Sequence, residues 1–126
     1  MTRTHENLSD LPPGEYPAAD RRSPMDVAFE VEEALRLFDG RWKLEILFCL
    51  FGGRVRRFSD LEREIEGVSQ KMLAQQLRQL EADGIVQRFV YAEVPPKVEY
   101  ALTNWGQSLC PALDALLTWR SSAPHR

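Results

Sequence analysis

From Val27 onward, apolar side chains recur at three- and four-residue spacing, the period of helices that bury one side. Val27, Val31, Ala34, Leu35 and Phe38 predict a first helix, capped by Asp26 and ended by Asp39-Gly40. Trp42, Leu44, Ile46, Leu47, Leu50 and Phe51 predict a second, so apolar that it is expected to be buried on most sides, with Gly52-Gly53 as its stop. Ser59 and Glu62 stand at capping-box spacing, which predicts a short third helix through Leu61 and Ile65 to Gly67. The clearest pattern runs from Ser69 to Gly84. Ser69 can cap the first free amides, Leu73, Leu77 and Leu80 form one stripe with Met72 at its edge, and Gly84 supplies a left-handed stop. The opposite side carries Gln70, Lys71, Ala74, Gln75 and Arg78.

After Gly84 the period changes. Ile85–Tyr91 and Val98–Thr103, rich in branched and aromatic residues, predict two strands, and Ala92–Lys97 joins them with Pro95 and Pro96 at a stiff tip. Asn104–Arg120 predicts one long closing helix carrying Leu109, Leu113, Leu116, Leu117 and Trp119. That apolar face is wider than a domain of this size covers alone, so part of it is expected to meet a second subunit. The fold class is therefore mainly α with a small β-hairpin (α+β). Four prolines and Gly14 mark residues 1–28 as a disordered N-terminal tail, leaving a domain over 29–120 and a short tail over 121–126.

Composition narrows the function more than the fold. With 126 residues and 44% hydrophobic content, there is room for one domain with a core. The net charge of -3 is not that of a general nucleic-acid binder, but it is unevenly spread: -5 over residues 1–39 and +2 over the remainder. Arg41, Lys43, Arg54, Arg56 and Arg57 gather against Glu45 alone over residues 41–58. Two cysteines, Cys49 and Cys110, sit in apolar patterns rather than at metal-ligand spacing, which fits a reducing compartment. No signal segment or membrane span is apparent, so the expected location is the cytoplasm. No set of residues is spaced for catalysis, and Glu30, Glu32 and Glu33 splay around a helix instead of converging on a metal; no enzyme activity and no cofactor are expected. Trp42, Phe58 and Trp105 fit core packing better than a ligand pocket. Arg54, Arg56 and Arg57, beside the start of the third helix, fit phosphate contacts better than idle loop charge.

Glu66-Gly67-Val68 joins the third helix to the fourth by the short glycine-containing turn of a helix-turn-helix. Glutamine and arginine pair bidentately with adenine and guanine edges, lysine suits guanine or phosphate, and small Ala74 permits close approach. The segments Leu37-Phe38-Asp39-Gly40-Arg41-Trp42-Lys43, Arg57-Phe58-Ser59-Asp60-Leu61, Ser69-Gln70-Lys71-Met72-Leu73, Leu80-Glu81-Ala82-Asp83-Gly84-Ile85-Val86 and Pro95-Pro96-Lys97-Val98-Glu99-Tyr100-Ala101-Leu102-Thr103 closely resemble the HxlR-type bacterial transcriptional regulators, which are MarR-like, over about residues 29 to 120.

The resemblance implies a winged helix-turn-helix that dimerises through its terminal helices and binds double-stranded promoter DNA. Ser69, Gln70, Lys71, Ala74, Gln75 and Arg78 would lie on the major-groove helix, and Arg56, Arg57, Ser59, Pro95, Pro96 and Lys97 would meet the DNA backbone or form the wing. Val31 and Leu35 of the first helix, with Leu109, Leu113, Leu116, Leu117 and Trp119, would form the homodimer surface. A repressor acting at a palindromic operator is the expected role, and an unidentified small-molecule effector stays open. The rival, favoured by overall acidity and by Glu93 in the wing, is a winged-helix module that binds protein. Three positions depart from the family pattern: Phe29 stands where many relatives have a cysteine, Gln76 where arginine is frequent and Ala74 where threonine is frequent. The first speaks against thiol sensing, and the others against borrowing any relative's operator.

Overall fold

Ser23 opens the first helix, α1 (Pro24–Arg36), by accepting a hydrogen bond from the Asp26 amide at 3.2 Å. Asp26, expected as the cap, lies in the first turn, where its charge suits the helix's positive end. The expected start at Val27 is late because Pro24 is a first-turn residue, where no amide is needed, and not a breaker. This computed structural model describes residues 22–124; residues 1–21 and 125–126, which hold most of the expected tails, lie outside the described residues. The chain divides into two units after Leu37. In the first, α1 buries none of its residues, and Val31 and Leu35 lie exposed.

The second unit holds α2 (Lys43–Leu50), β1 (Arg56–Arg57), α3 (Phe58–Glu64), α4 (Gln70–Ala82), β2 (Val86–Tyr91), β3 (Lys97–Leu102), α5 (Asn104–Gln107) and α6 (Cys110–Ser121). Its core gathers Ile46, Leu47 and Leu50 of α2, Leu61 of α3, Leu73, Leu77 and Leu80 of α4, and Val86 and Leu102 of the sheet. Contrary to expectation, α2 is not covered on most sides. Leu44 and Phe48, one turn apart, remain exposed on a second stripe. Lys43, counted above with the positive cluster, is buried.

Trp42, just ahead of α2, has φ 87°, a costly conformation for a bulky residue. Its amide donates to Glu45 Oε1 at 3.1 Å, and its ring lies 4.2 Å beneath the Arg41 guanidinium. The far edge of that ring sits 3.8 Å from where a Cβ on Gly67 would be, so Trp42 supports the turn between α3 and α4. Neither Trp42 nor Phe58 is fully buried, and Trp105 is exposed, against the expectation of core packing for all three.

α3 is capped differently from the expected Ser59–Glu62 box. Arg57 precedes the helix, and its amide donates to Asp60 Oδ2 at 2.9 Å. Arg57 is fixed in extended conformation by β1, so the helix begins one residue before Ser59 and the third helical residue is Asp60. β1 itself was not expected: it pairs with β3, making a three-stranded antiparallel sheet of order β1-β3-β2 rather than a bare hairpin.

α4 keeps both predicted ends. Ser69 Oγ accepts from the Met72 amide at 3.1 Å. At the other end Gly84, φ 78°, turns the chain so that the Ile85 amide reaches Leu80 O at 2.9 Å and the Gly84 amide reaches Glu81 O at 3.0 Å, a Schellman stop. The expected single closing helix is two. Pro111 has no amide to give and its ring clashes with the carbonyl four residues back, so α6 starts anew with proline in its first turn. Thr103, expected at the end of a strand, caps α5: its Oγ1 accepts from the Gly106 amide at 3.0 Å and donates to Gly84 O at 2.6 Å. That one hydroxyl ties the end of α4 to the start of α5.

Candidate nucleic-acid interface

With Leu73, Leu77 and Leu80 buried, Gln70, Lys71, Gln75 and Arg78 stand exposed on α4, and Ala74 is half-buried between them. The helix thus presents a row of amide, ammonium and guanidinium donors on a rigid, internally anchored rod. Ser69 contributes its hydroxyl to the cap. Gln76 turns back along the helix to the Met72 sulfur at 3.6 Å, so it does not join the row.

The expected backbone contacts fare unequally. Arg56 Nε donates to Glu64 Oε1 at 2.9 Å, which ties its charge to α3. Arg57 is exposed, and Ser59 is an exposed first-turn residue of α3. At the start of α3 the Asp60 carboxylate takes the Arg57 amide and sets a negative charge beside any phosphate that would approach there. That carboxyl is held below its ordinary pKa first by the Arg57 amide and then by the Arg63 guanidinium, which lies 2.5 Å away.

At the wing, Pro95 and Pro96 are exposed in the connection between β2 and β3. Lys97 is braced rather than free: its Nζ lies 3.7 Å from Glu99 Oε2 and 4.9 Å over the Tyr91 ring. The Tyr91 hydroxyl bonds to the same Glu99, which raises its pKa.

Sequence reasoning missed a group that the sheet brings against α4. A cleft of about 310 Å³ is lined by Ala74, Leu77, Arg78, Glu81, Arg88 and Tyr100, with Arg88 Nε 3.6 Å from Glu81 Oε1. The signal was present in the two-residue alternation, since Arg88 shares a strand face with buried Val86. Arg78, expected among the base readers, is also a wall of this cleft.

A second surface lies between α2 and α6. Leu44, Phe48, Leu113, Leu116, Leu117 and Trp119 line an almost wholly apolar groove of about 350 Å³. Leu116 is 51% exposed, Leu117 54% and Trp119 71%, whereas Leu113 is buried and Leu109 half-buried. Leu113, expected at the subunit surface, therefore belongs to the core of its own unit and forms only the floor of the groove. Among the described residues no helix is long and apolar enough to cross a membrane, and no three His, Cys, Asp or Glu side chains gather as metal ligands.

Comparison with known proteins agrees with this geometry. The HxlR-like helix-turn-helix family model matches residues 37–126. The uncharacterised HTH-type transcriptional regulator YtcD of Bacillus subtilis is 48% identical over 96 residues, covering 76% of this chain and 75% of that protein. Among solved structures, the redox regulator HypR in its reduced form superposes with a TM-score of 0.68 at 43% identity, covering 74% of this chain and 91% of that one. A MarR-family structure from Enterococcus faecalis V583 reaches a TM-score of 0.74 at 36% identity, covering 82% and 93%. A match through the braced turn, the capped α4 and the wing identifies the fold and the trade together: the chain belongs to the HxlR-like helix-turn-helix family of DNA-binding transcriptional regulators.

Proposed function

We propose that this protein is a homodimeric repressor that seats α4 in the major groove of a palindromic promoter operator and blocks transcription by occupying it. The observation that carries the reading is the exposed row of Gln70, Lys71, Gln75 and Arg78 on a helix fixed at both ends, since a base reader must be held rigidly to discriminate. Lys97 and the two wing prolines supply sequence-independent contacts beside it, and Arg57 supplies another from the sheet. Repression by occlusion is the simplest role for a chain whose described residues include a DNA-contacting helix and a pairing groove. The apolar groove between α2 and α6, with Val31 and Leu35 of α1, supports pairing of two copies.

The test is binding of a promoter fragment across a salt series. Phosphate neutralisation releases counterions, so the logarithm of affinity falls linearly with the logarithm of salt, at about 0.9 unit per contact. Gln75→Ala is expected to lower discrimination at one base pair per half-site by about 1 to 3 kcal/mol while leaving affinity for random duplex unchanged. A flat salt response with no duplex preference would instead favour a protein-binding winged helix.

A further inference from the structure

Arg56, Tyr100 and Arg88 form one register row across β1, β3 and β2, and so lie on one face of the sheet. Leu102 and Val86, the next residues along that face, are buried, so the row continues the core side of the sheet outward. Each flanking arginine is answered by a glutamate from a helix, but the two pairs are unlike. Arg56 and Glu64 make a hydrogen bond at 2.9 Å. Arg88 and Glu81 stand at 3.6 Å, beyond hydrogen-bonding distance, with side chains 44% and 39% exposed. The first pair is a brace between α3 and the sheet. The second opens on the cleft that Arg78 also lines, so two guanidinium groups and a phenol face one carboxylate. The Tyr100 hydroxyl senses all three charges: burial raises its pKa most, Glu81 raises it further, and Arg88 and Arg78 oppose.

We propose that this cleft is a phosphate site masked by Glu81: Arg88 and Arg78 hold a backbone phosphate of DNA running between α4 and the wing, and the phosphate displaces the Glu81 carboxylate. The inference rests on the reading of α4 as the DNA-contacting helix, and adds to it a contact behind that helix and an internal competitor. A backbone phosphate and a carboxylate each carry one negative charge, so the exchange costs little in charge. The phosphate gains where its oxygens bridge both guanidinium groups, a geometry for which the arginine fork is suited. Glu81 thereby weakens binding to every duplex alike and leaves preference among duplexes to Gln70, Lys71 and Gln75, with Arg78 given to the phosphate.

Binding of a promoter fragment and of a random duplex, each over a salt series, tests this with the wild type, Glu81→Gln, Arg88→Gln and the double variant. Glu81→Gln is expected to raise affinity for both duplexes alike, about two- to fivefold, the scale of an exposed ion pair. Arg88→Gln is expected to weaken both, to lower the salt slope by about one unit, and to cancel the gain in the double variant. Where Arg88→Gln does not fold, Arg88→Lys keeps the charge and loses the fork; it should keep the slope and lose affinity. A weaker or unchanged Glu81→Gln, or a gain that persists in the double variant, overturns the proposal and leaves the pair as a brace. Calorimetry with inorganic phosphate tells the sources apart: phosphate uptake that Arg88→Gln abolishes, with no change of slope on DNA, assigns the cleft to a small anion and overturns the backbone contact. Failure of the underlying reading is separate, since Gln75→Ala and Lys71→Ala would then leave DNA binding untouched.

Discussion

A prediction about oxidants rests on single residues. Phe29, at the position where the family resemblance leads one to expect a cysteine, lies on α1 and has no thiol to oxidise. Cys49 and Cys110 are free and half-buried, not hidden as their apolar neighbours in sequence suggest. The reason is that α2 leaves a side open at Leu44 and Phe48, while Cys110 starts α6 at the break before Pro111. Exposure alone does not make a sensor. Burial pushes the Cys49 thiol above its ordinary pKa and the Glu64 carboxylate adds to this, with Arg56 and Arg54 offsetting only part. At neutral pH little of it is the reactive thiolate, and alkylation by iodoacetamide should quicken only as pH rises above the ordinary thiol range. Diamide or a quinone at moderate dose is therefore expected to leave promoter binding unchanged, as is the double substitution Cys49→Ser, Cys110→Ser. Release of the wild type from DNA by diamide, lost in the double variant, would show the opposite. The similarity to the redox regulator HypR is one of fold and sequence, and the diamide experiment decides whether it reaches the signal.

At the scale of elements, the joint between α4 and α5 shows what holds the reading helix in place. A Cβ on Gly106 would lie 2.2 Å from Ile85 O, a backbone atom that cannot yield without moving the Schellman turn after α4. Alanine in a helix ordinarily gains about 1 kcal/mol over glycine, but overpacking of this kind costs about 1 to 3 kcal/mol and endangers the Thr103 cap, itself about 1 kcal/mol. Gly106→Ala should therefore lower stability in urea unfolding by about 1 to 3 kcal/mol, whereas Gly106→Ala as stable as the wild type would mean that the joint is loose. Such a contact is not legible in the sequence, where Gly106 looks like a poor helix residue. What was legible is local: the Ser69 cap, the Leu73-Leu77-Leu80 stripe and the Gly84 stop depend on neighbours within a few residues. Elements set by distant partners were misread. β1 is two residues long and exists because β3 pairs with it, and that pairing moves the cap of α3 from Ser59 to Arg57. The Arg88–Glu81–Tyr100 cleft was invisible for the same reason, since it needs the sheet register before its members meet.

For the whole molecule, the question is how one α4 becomes a regulator. A single helix reads too few base pairs to find one site in a genome, and two copies related by a two-fold axis double the contacts and set a spacing of roughly 34 to 36 Å between half-sites. The surface proposed for pairing is the groove of Leu44, Phe48, Leu116, Leu117 and Trp119, of which the sequence pointed to the α6 members, together with Val31 and Leu35 of α1. Leu44 and Phe48 extend it, and Leu113 is buried at its floor, so the substitutions that separate pairing from folding are at Leu116 and Leu117. Leu113→Glu would unfold the unit instead. Leu116→Glu or Leu117→Glu should yield a folded monomer, because each leucine is half exposed in one copy, yet a carboxylate buried unpaired between two copies is costly. Sedimentation should then give a dimer for the wild type at micromolar concentration and a monomer for either variant. Operator affinity should fall in step, with the footprint shrinking from two half-sites to weak single ones. A wild-type monomer under those conditions would remove the pairing, and with it the palindrome, while leaving α4 and its cleft to be judged on the salt series alone.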